Sequence, residues 1–223
     1  MKTIGIASLA AAALLAVPLA ANAQSNGQSS GNRWEGFYAG VNAGGIWSST
    51  AATIGENQTS GGFNGSGSGF MGGAQAGYNY LLGPVVLGGE IDFQGSTETT
   101  SVSGGAGPGV INATSAIPWF STFRARVGYP VGSVMPYVTG GAVWGHQTLS
   151  GFDSSAGSFS ASNNFWTYTF GAGVEGHIAE AWTAKLEYLW IGSPNTALSS
   201  PASTSVDQRS IGNVVRVGLN YHF

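Results

Sequence analysis

Alternation is the dominant signal along this chain. The closing stretch NVVRVGLNYHF sets Val215, Val217, Leu219, Tyr221 and Phe223 on one face, with Arg216, Gly218, Asn220 and His222 on the other. A two-residue period of this kind predicts a β-strand with one face in an apolar medium and one in a polar medium. The pattern recurs upstream. FYAGVNAGGIW places Phe37, Ala39, Val41, Ala43 and Trp47 opposite Tyr38 and Asn42, and FMGGAQAGYNYL places Phe70, Ala74, Ala76, Tyr78 and Tyr80 opposite Gln75 and Asn79. VVLGGEIDFQ sets Val85, Leu87, Ile91 and Phe93 against Glu90, Asp92 and Gln94, and IPWFSTFRARVGY sets Ile117, Trp119, Phe123, Val127 and Tyr129 against Thr122, Arg124 and Arg126. In MPYVTGGAVWGH, the least regular run, Val138, Ala142 and Trp144 oppose Tyr137 and Thr139. FWTYTFGAGVEGHI gives Trp166, Tyr168, Phe170, Ala172, Val174 and Ile178 against Thr167, Thr169, Glu175 and His177. WTAKLEYLW gives Trp182, Ala184, Leu186, Tyr188 and Trp190 against Thr183, Lys185 and Glu187.

Eight such runs, each near the roughly 9–11 residues with which a tilted strand crosses a bilayer, predict eight antiparallel strands. Their connections alternate. Short turns are expected at Gly83-Pro84, at 130–133 and at 179–181; long loops rich in Gly, Ser, Thr and Asn are expected at 48–69, 95–116, 147–163 and 192–209. Both ends of the barrel sequence then fall on the short-turn side. Short turns at one end and long loops at the other are the signature of an outer-membrane barrel.

The front of the chain agrees. Lys2, an apolar stretch from Ile4 to about Leu19 and the small-residue site Ala21-Asn22-Ala23 predict a secretory signal peptide over 1–23. A linker at 24–33 and a barrel domain at 34–223 would follow. There is no cysteine, so neither a disulfide framework nor cysteine lipidation is available. Loss of Lys2 would take the formal charge from −3 to −4, which leaves no basic footprint for nucleic acid.

Charge placement chooses between a soluble sandwich or lipocalin-like barrel and a membrane barrel. The soluble folds bury their apolar face and wet the polar one. Here only 8% of residues are charged, and half of those outside the signal peptide lie on the polar strand faces. They balance: Glu90, Asp92, Glu175 and Glu187 against Arg124, Arg126, Lys185 and Arg216. A closed polar interior requires that balance, because an isolated buried ion is too costly. Aromatic residues gather at strand ends: Tyr80, Tyr129, Trp182, Tyr221 and Phe223 on the short-turn side, and Trp47, Phe70, Phe93, Trp119, Trp144, Trp166 and Trp190 on the other. These are the two interfacial girdles expected of such a barrel. The expected fold is all-β: an eight-stranded antiparallel up-and-down transmembrane β-barrel.

The ordered blocks WEGFYAGVNAGG, GAQAGYNY, LGGEIDFQ, FRARVGY, PYVTGGAVWG, FGAGVEGHI, WTAKLEYLW and VVRVGLNYHF span about 34–223. As a set they resemble the small porin-family outer-membrane proteins of alphaproteobacteria. That family includes major surface proteins of Brucella and the rhizobia and haemin-binding surface proteins of Bartonella. The resemblance implies a location in the outer membrane, with outer-membrane lipids and the barrel-assembly machinery as partners. It also implies that Phe223, with Tyr221, forms a C-terminal assembly signal. The loops resemble nothing comparable, so the roles that individual members carry in their loops do not transfer.

Candidate chemistry is sparse. His177 and His222 are expected to face inward near the short-turn side; His146 is expected at the outer end of the fifth strand, ahead of Asp153 and many serines. A nucleophile needs a base in reach and an orienting group, and dense serines give no such geometry. No HxxxH or Cys/His cluster exists to hold a metal or haem. GGFNGSGSG at 61–69 lacks the Lys-Ser/Thr of a phosphate loop and is expected to be a mobile surface loop. No enzyme activity and no cofactor are expected. The expected function is a structural surface protein: a closed barrel that supports envelope integrity and displays loops. The alternatives are a narrow porin-like channel, for which inward glycines such as Gly40, Gly77 and Gly218 would leave some space, and a haem-binding or adhesin surface protein acting through the loops.

Overall fold

The computed structural model describes residues 33–56, 59–106, 109–153, 157–192, 197–199 and 205–223. The expected signal peptide at 1–23, and all of the linker except Arg33, lie outside the described residues. Among the described residues every regular element is a strand: β1 Gly36–Glu56, β2 Thr59–Leu82, β3 Val85–Ala106, β4 Gly109–Gly128, β5 Val134–Asp153, β6 Gly157–His177, β7 Trp182–Ile191, β8 Ala197–Ser199 and β9 Ser205–His222. Neighbours in sequence pair antiparallel from β1 to β7, β7 pairs β9, and β9 returns to β1. Eight strands therefore close a ring. β8 is a three-residue ribbon paired to β9 outside it.

The ring is sealed to its last residue. Tyr38 pairs with His222, and the Phe223 amide donates to the Phe37 carbonyl at 3.0 Å. Gly83 and Gly132 adopt φ of 61° and 65°, the left-handed region that tight turns need and that glycine enters without strain. They form two of the short turns.

Alternation reads as expected, with apolar side chains outward. Phe70 is 80% exposed and Phe223 79%, whereas Glu90, Glu175, Lys185 and Arg216 are buried. A soluble fold would show the opposite. Outward aromatics stack around the long-hairpin end: Phe93 on Trp119, Trp119 on His146, and Trp144 on Trp166.

Three expectations are corrected. The long connections are mostly not loops, because the strands keep pairing far past the membrane band. β1 and β2 pair from Gly36↔Asn79 to Glu56↔Thr59, β3 and β4 out to Ala106↔Gly109, and β5 and β6 out to Asp153↔Gly157. The strands accordingly run 20 to 24 residues from β1 to β6 rather than 9–11. The glycine-rich 61–69 lies within β2. Ile117 turns inward rather than outward. The register shifts between Gly95/Glu98 and between Ala116/Trp119, around Pro118, so that Ile117 pairs with buried Glu98 while Trp119 still faces out. A bulge reverses the parity of everything beyond it, and proline, which cannot donate to the ladder, sits at such sites. The space over two inward glycines is filled by tyrosines. The Tyr38 ring lies where a Cβ of Gly77 would be, and Tyr137 does the same over Gly173.

Candidate functional site

Among the described residues charged groups converge in the lumen, which is built in layers. At mid-height β3, β4, β6, β7 and β9 bring together all eight charges assigned inward from the alternation. Registry sets Glu90 opposite Arg124, Glu175 opposite Lys185 and Glu187 opposite Arg216. The contacts nevertheless form a network across the bore rather than a set of rungs. Arg124 bonds Glu90, Asp92 at 3.0 Å and Glu187 at 2.8 Å. Lys185 leaves its registered neighbour and donates to both Glu90 oxygens at 2.8 Å. Arg216 donates to Glu187 at 2.7 Å from Nε and to Asp92 at 3.0 Å from Nη2.

Cross-strand pairing of the third and fourth alternating runs would bring Arg126 to Glu90 and Asp92. Arg126 lies 3.5 Å from Glu90 but makes its shorter bridge, 2.5 Å, to Glu175 on β6. Every one of these side chains is at most 2% exposed. Four carboxylates against four cations leave the layer neutral.

Neutral donors complete the network. Tyr38 donates its hydroxyl to Glu90 at 2.7 Å and accepts from Arg126 at 3.1 Å. Tyr137 donates to Glu187 at 2.9 Å, and the Arg126 guanidinium lies 4.4 Å from its ring centre. Thr122 donates to Asp92, while Thr183 and Asn220 both donate to Glu175. A side-chain string from Asn42 through Gln75 to Asn220 joins the network from the β1–β2 side. Alternation placed Tyr38 and Tyr137 inward but could not name their targets.

Two apolar layers cap the charges, and the sequence reading of a wholly polar interior missed both. Toward the long hairpins, Ile46, Met71, Phe120, Val143, Leu189 and Val214 form a buried cluster, with Ile117, Phe165 and Ile191 packed against it. Toward the short turns, Trp34, Val86 and Met135 form a second cluster. Trp34, from just before β1, is fully buried there, its ring 4.3 Å from that of His177 and 6.4 Å from that of His222. Each inward apolar residue was visible in the sequence, but single residues on otherwise polar faces looked like noise.

Of the remaining candidates, His222 reaches the edge of the network, its Nε2 3.6 Å from Glu175, and His146 lies apart from it. His177 and His222 face inward as expected, their rings 5.8 Å apart. His146 faces outward, stacked 6.0 Å from Trp119 and hydrogen-bonded to Asn164 at 2.7 Å. No group of three or more metal-ligating side chains occurs among the described residues. Tyr221 and Phe223 meet edge to face at the rim, with centroids 5.2 Å apart.

A sealed up-and-down ring with apolar residues outside and a paired polar lumen defines an outer-membrane β-barrel protein. Residues 7–223 match the family described as the outer membrane protein beta-barrel domain, and the chain belongs to that family. It is 38% identical over 201 residues to a 31 kDa outer-membrane immunogenic protein of Brucella melitensis, covering 85% of this chain and 84% of the relative. It is 32% identical over 155 residues to a 22 kDa outer membrane protein of Rhizobium leguminosarum, covering 70% and 62%. Among solved structures it is similar to the outer membrane protein OprG of Pseudomonas aeruginosa, with a TM-score of 0.46, 14% identity and coverage of 85% and 98%. The protein is thus an outer-membrane barrel, similar to outer-membrane proteins of Brucella and Rhizobium.

Proposed function

We propose that this protein is a structural surface protein of the outer membrane, a closed non-enzymic barrel that supports the envelope and carries its hairpins outward. The observation that carries the reading is the filling of the lumen: a neutral, ion-paired charge layer between two apolar layers. A permeating ion would have to cross the apolar layers without hydration and then displace bridges already satisfied, and both steps are unfavourable. On this reading the partners are the outer-membrane lipids and the barrel-assembly machinery, and no cofactor is needed.

The direct test is conductance of the refolded protein in planar bilayers. The expected trace does not differ from a bare bilayer, and discrete, reproducible current steps would favour the narrow-channel alternative. For the envelope role, a deletion strain is expected to become more sensitive to detergent, with sensitivity reversed by the intact gene.

A further inference from the structure

Trp34 reaches its place in the lumen through a bend at Gly36. Gly36 adopts φ of 122°, a conformation that L side chains rarely take and that glycine enters freely. Here the chain departs from the line of β1. Trp34 lies fully buried in the short-turn mouth against Val86 and Met135, while Arg33 stays exposed.

The seat is made of rings rather than hydrogen bonds. The Trp34 ring is 4.3 Å from that of His177, at the end of β6, and 6.4 Å from that of His222, at the end of β9. The two imidazoles are 5.8 Å apart. The buried Trp34 Nε1, both nitrogens of His177 and Nδ1 of His222 make no hydrogen bond to the protein. His222 Nε2 has polar neighbours, Thr183 at 3.3 Å and Glu175 at 3.6 Å. Such packing suits neutral imidazoles, because a buried nitrogen without a partner costs far less than a buried ion without one.

The surrounding groups decide what a proton does there. β3 and β5 contribute the apolar Val86 and Met135. Glu175 of β6 acts on both imidazoles, but it is already bridged to Arg126 at 2.5 Å and hydrogen-bonded by Thr183 and Asn220. Arg33 adds a positive neighbour to His177, and the neutral Tyr38 ring stacks on His222 at 5.4 Å. The Ala179 backbone lies near His177 but bonds neither of its nitrogens. Glu35, Glu180 and the chain-terminal carboxylate share this end of the barrel, and among the described residues none of them bridges either histidine. One imidazolium can be held against the indole face by cation–π attraction. A second, 5.8 Å away, meets like charge in a site that is largely closed to water, where screening is weak.

We propose that Trp34 is a pH-released latch on the short-turn mouth: neutral His177 and His222 hold it, and protonation of both drives it out by rotation at Gly36. The docked state is complete above the ordinary imidazole range and is lost as pH falls through it, near about pH 6–7. The charge layer above the latch keeps its bridges. Release therefore frees the segment ahead of β1 without opening the barrel, which takes the proposal beyond the closed-barrel reading.

The test uses the refolded barrel in nanodiscs, labelled with 5-fluorotryptophan, with the Trp34 fluorine resonance assigned by its loss in Trp34→Phe. Between about pH 7.5 and about pH 5, the ratio of buried to solvent-exposed Trp34 signal is expected to fall roughly ten-fold or more. The other tryptophan resonances and heat-modifiable gel mobility are expected to stay unchanged. A Trp34 signal still buried at the lower pH would overturn the proposal. So would release that comes only with loss of the barrel's gel mobility, which would make it general unfolding. His177→Phe keeps a ring and removes the charge, at a side chain whose nitrogens bond nothing in the protein. It is expected to hold Trp34 buried across the whole range, and acid release equal to that of the parent would also overturn the proposal. Should that variant fail to refold, His222→Gln removes the other charge and decides by the same two outcomes.

Discussion

Glu90 is the hub of the lumen, within 4 Å of Arg124, Arg126, Lys185 and Arg216 and hydrogen-bonded to Tyr38. Neutralising it leaves one uncompensated positive charge in a layer that water does not reach. Glu90→Gln is therefore expected to destabilise the barrel by about 3–5 kcal/mol, read as a lower urea midpoint for the refolded protein. Adding Lys185→Met restores neutrality and is expected to recover a large part of that loss, since the two sites share one network. A Glu90→Gln midpoint equal to that of the parent protein would show that the lumen is wet. At this scale the sequence was informative about placement and silent about partners. Strict alternation sent all eight charges inward, yet Lys185 crosses the bore to Glu90 rather than bonding its registered neighbour Glu175. Which side chains meet across a bore depends on closure and stagger, which no single strand encodes. Ile117 was misplaced for a local reason, and Pro118 beside it was the available warning.

Strands were found where alternation marked them, and their true ends were not. Beyond the membrane band both faces of a strand meet water, so the two-residue contrast vanishes. The Gly, Ser, Thr and Asn that fill 48–69 and 95–116 are also turn residues, which made paired hairpin arms look like loops. The last strand is the opposite case, legible to its final residue. Phe223 contributes one backbone bond to Phe37 and a ring 79% exposed, edge to face with that of Tyr221. One such bond is worth about 0.5–1.5 kcal/mol net, so its deletion should barely weaken a formed barrel. If Phe223 is read by the assembly machinery, deletion will sharply lower outer-membrane insertion in cells while refolding into detergent stays nearly normal. Equal losses in the two assays would make the residue structural.

At the scale of the whole molecule, the distribution of glutamates turns orientation into a single measurement. On the proposed reading the short turns face the periplasm and the long hairpins lie outside the cell. Glu56 ends β1 on the long-hairpin side, whereas Glu180 is exposed in the short turn between β6 and β7. The charge-layer glutamates Glu90, Glu175 and Glu187 are sealed in the lumen between the two apolar layers, and Glu98 is buried beneath Ser48 and Thr100. A glutamate-specific protease added to intact cells is therefore expected to cut after Glu56 and to spare Glu180. Breaking the outer membrane first should expose Glu180 as well, and the luminal glutamates should resist in both conditions. The luminal result reports on the filling, and the contrast between Glu56 and Glu180 reports on orientation. Cleavage at Glu180 in intact cells would invert the barrel.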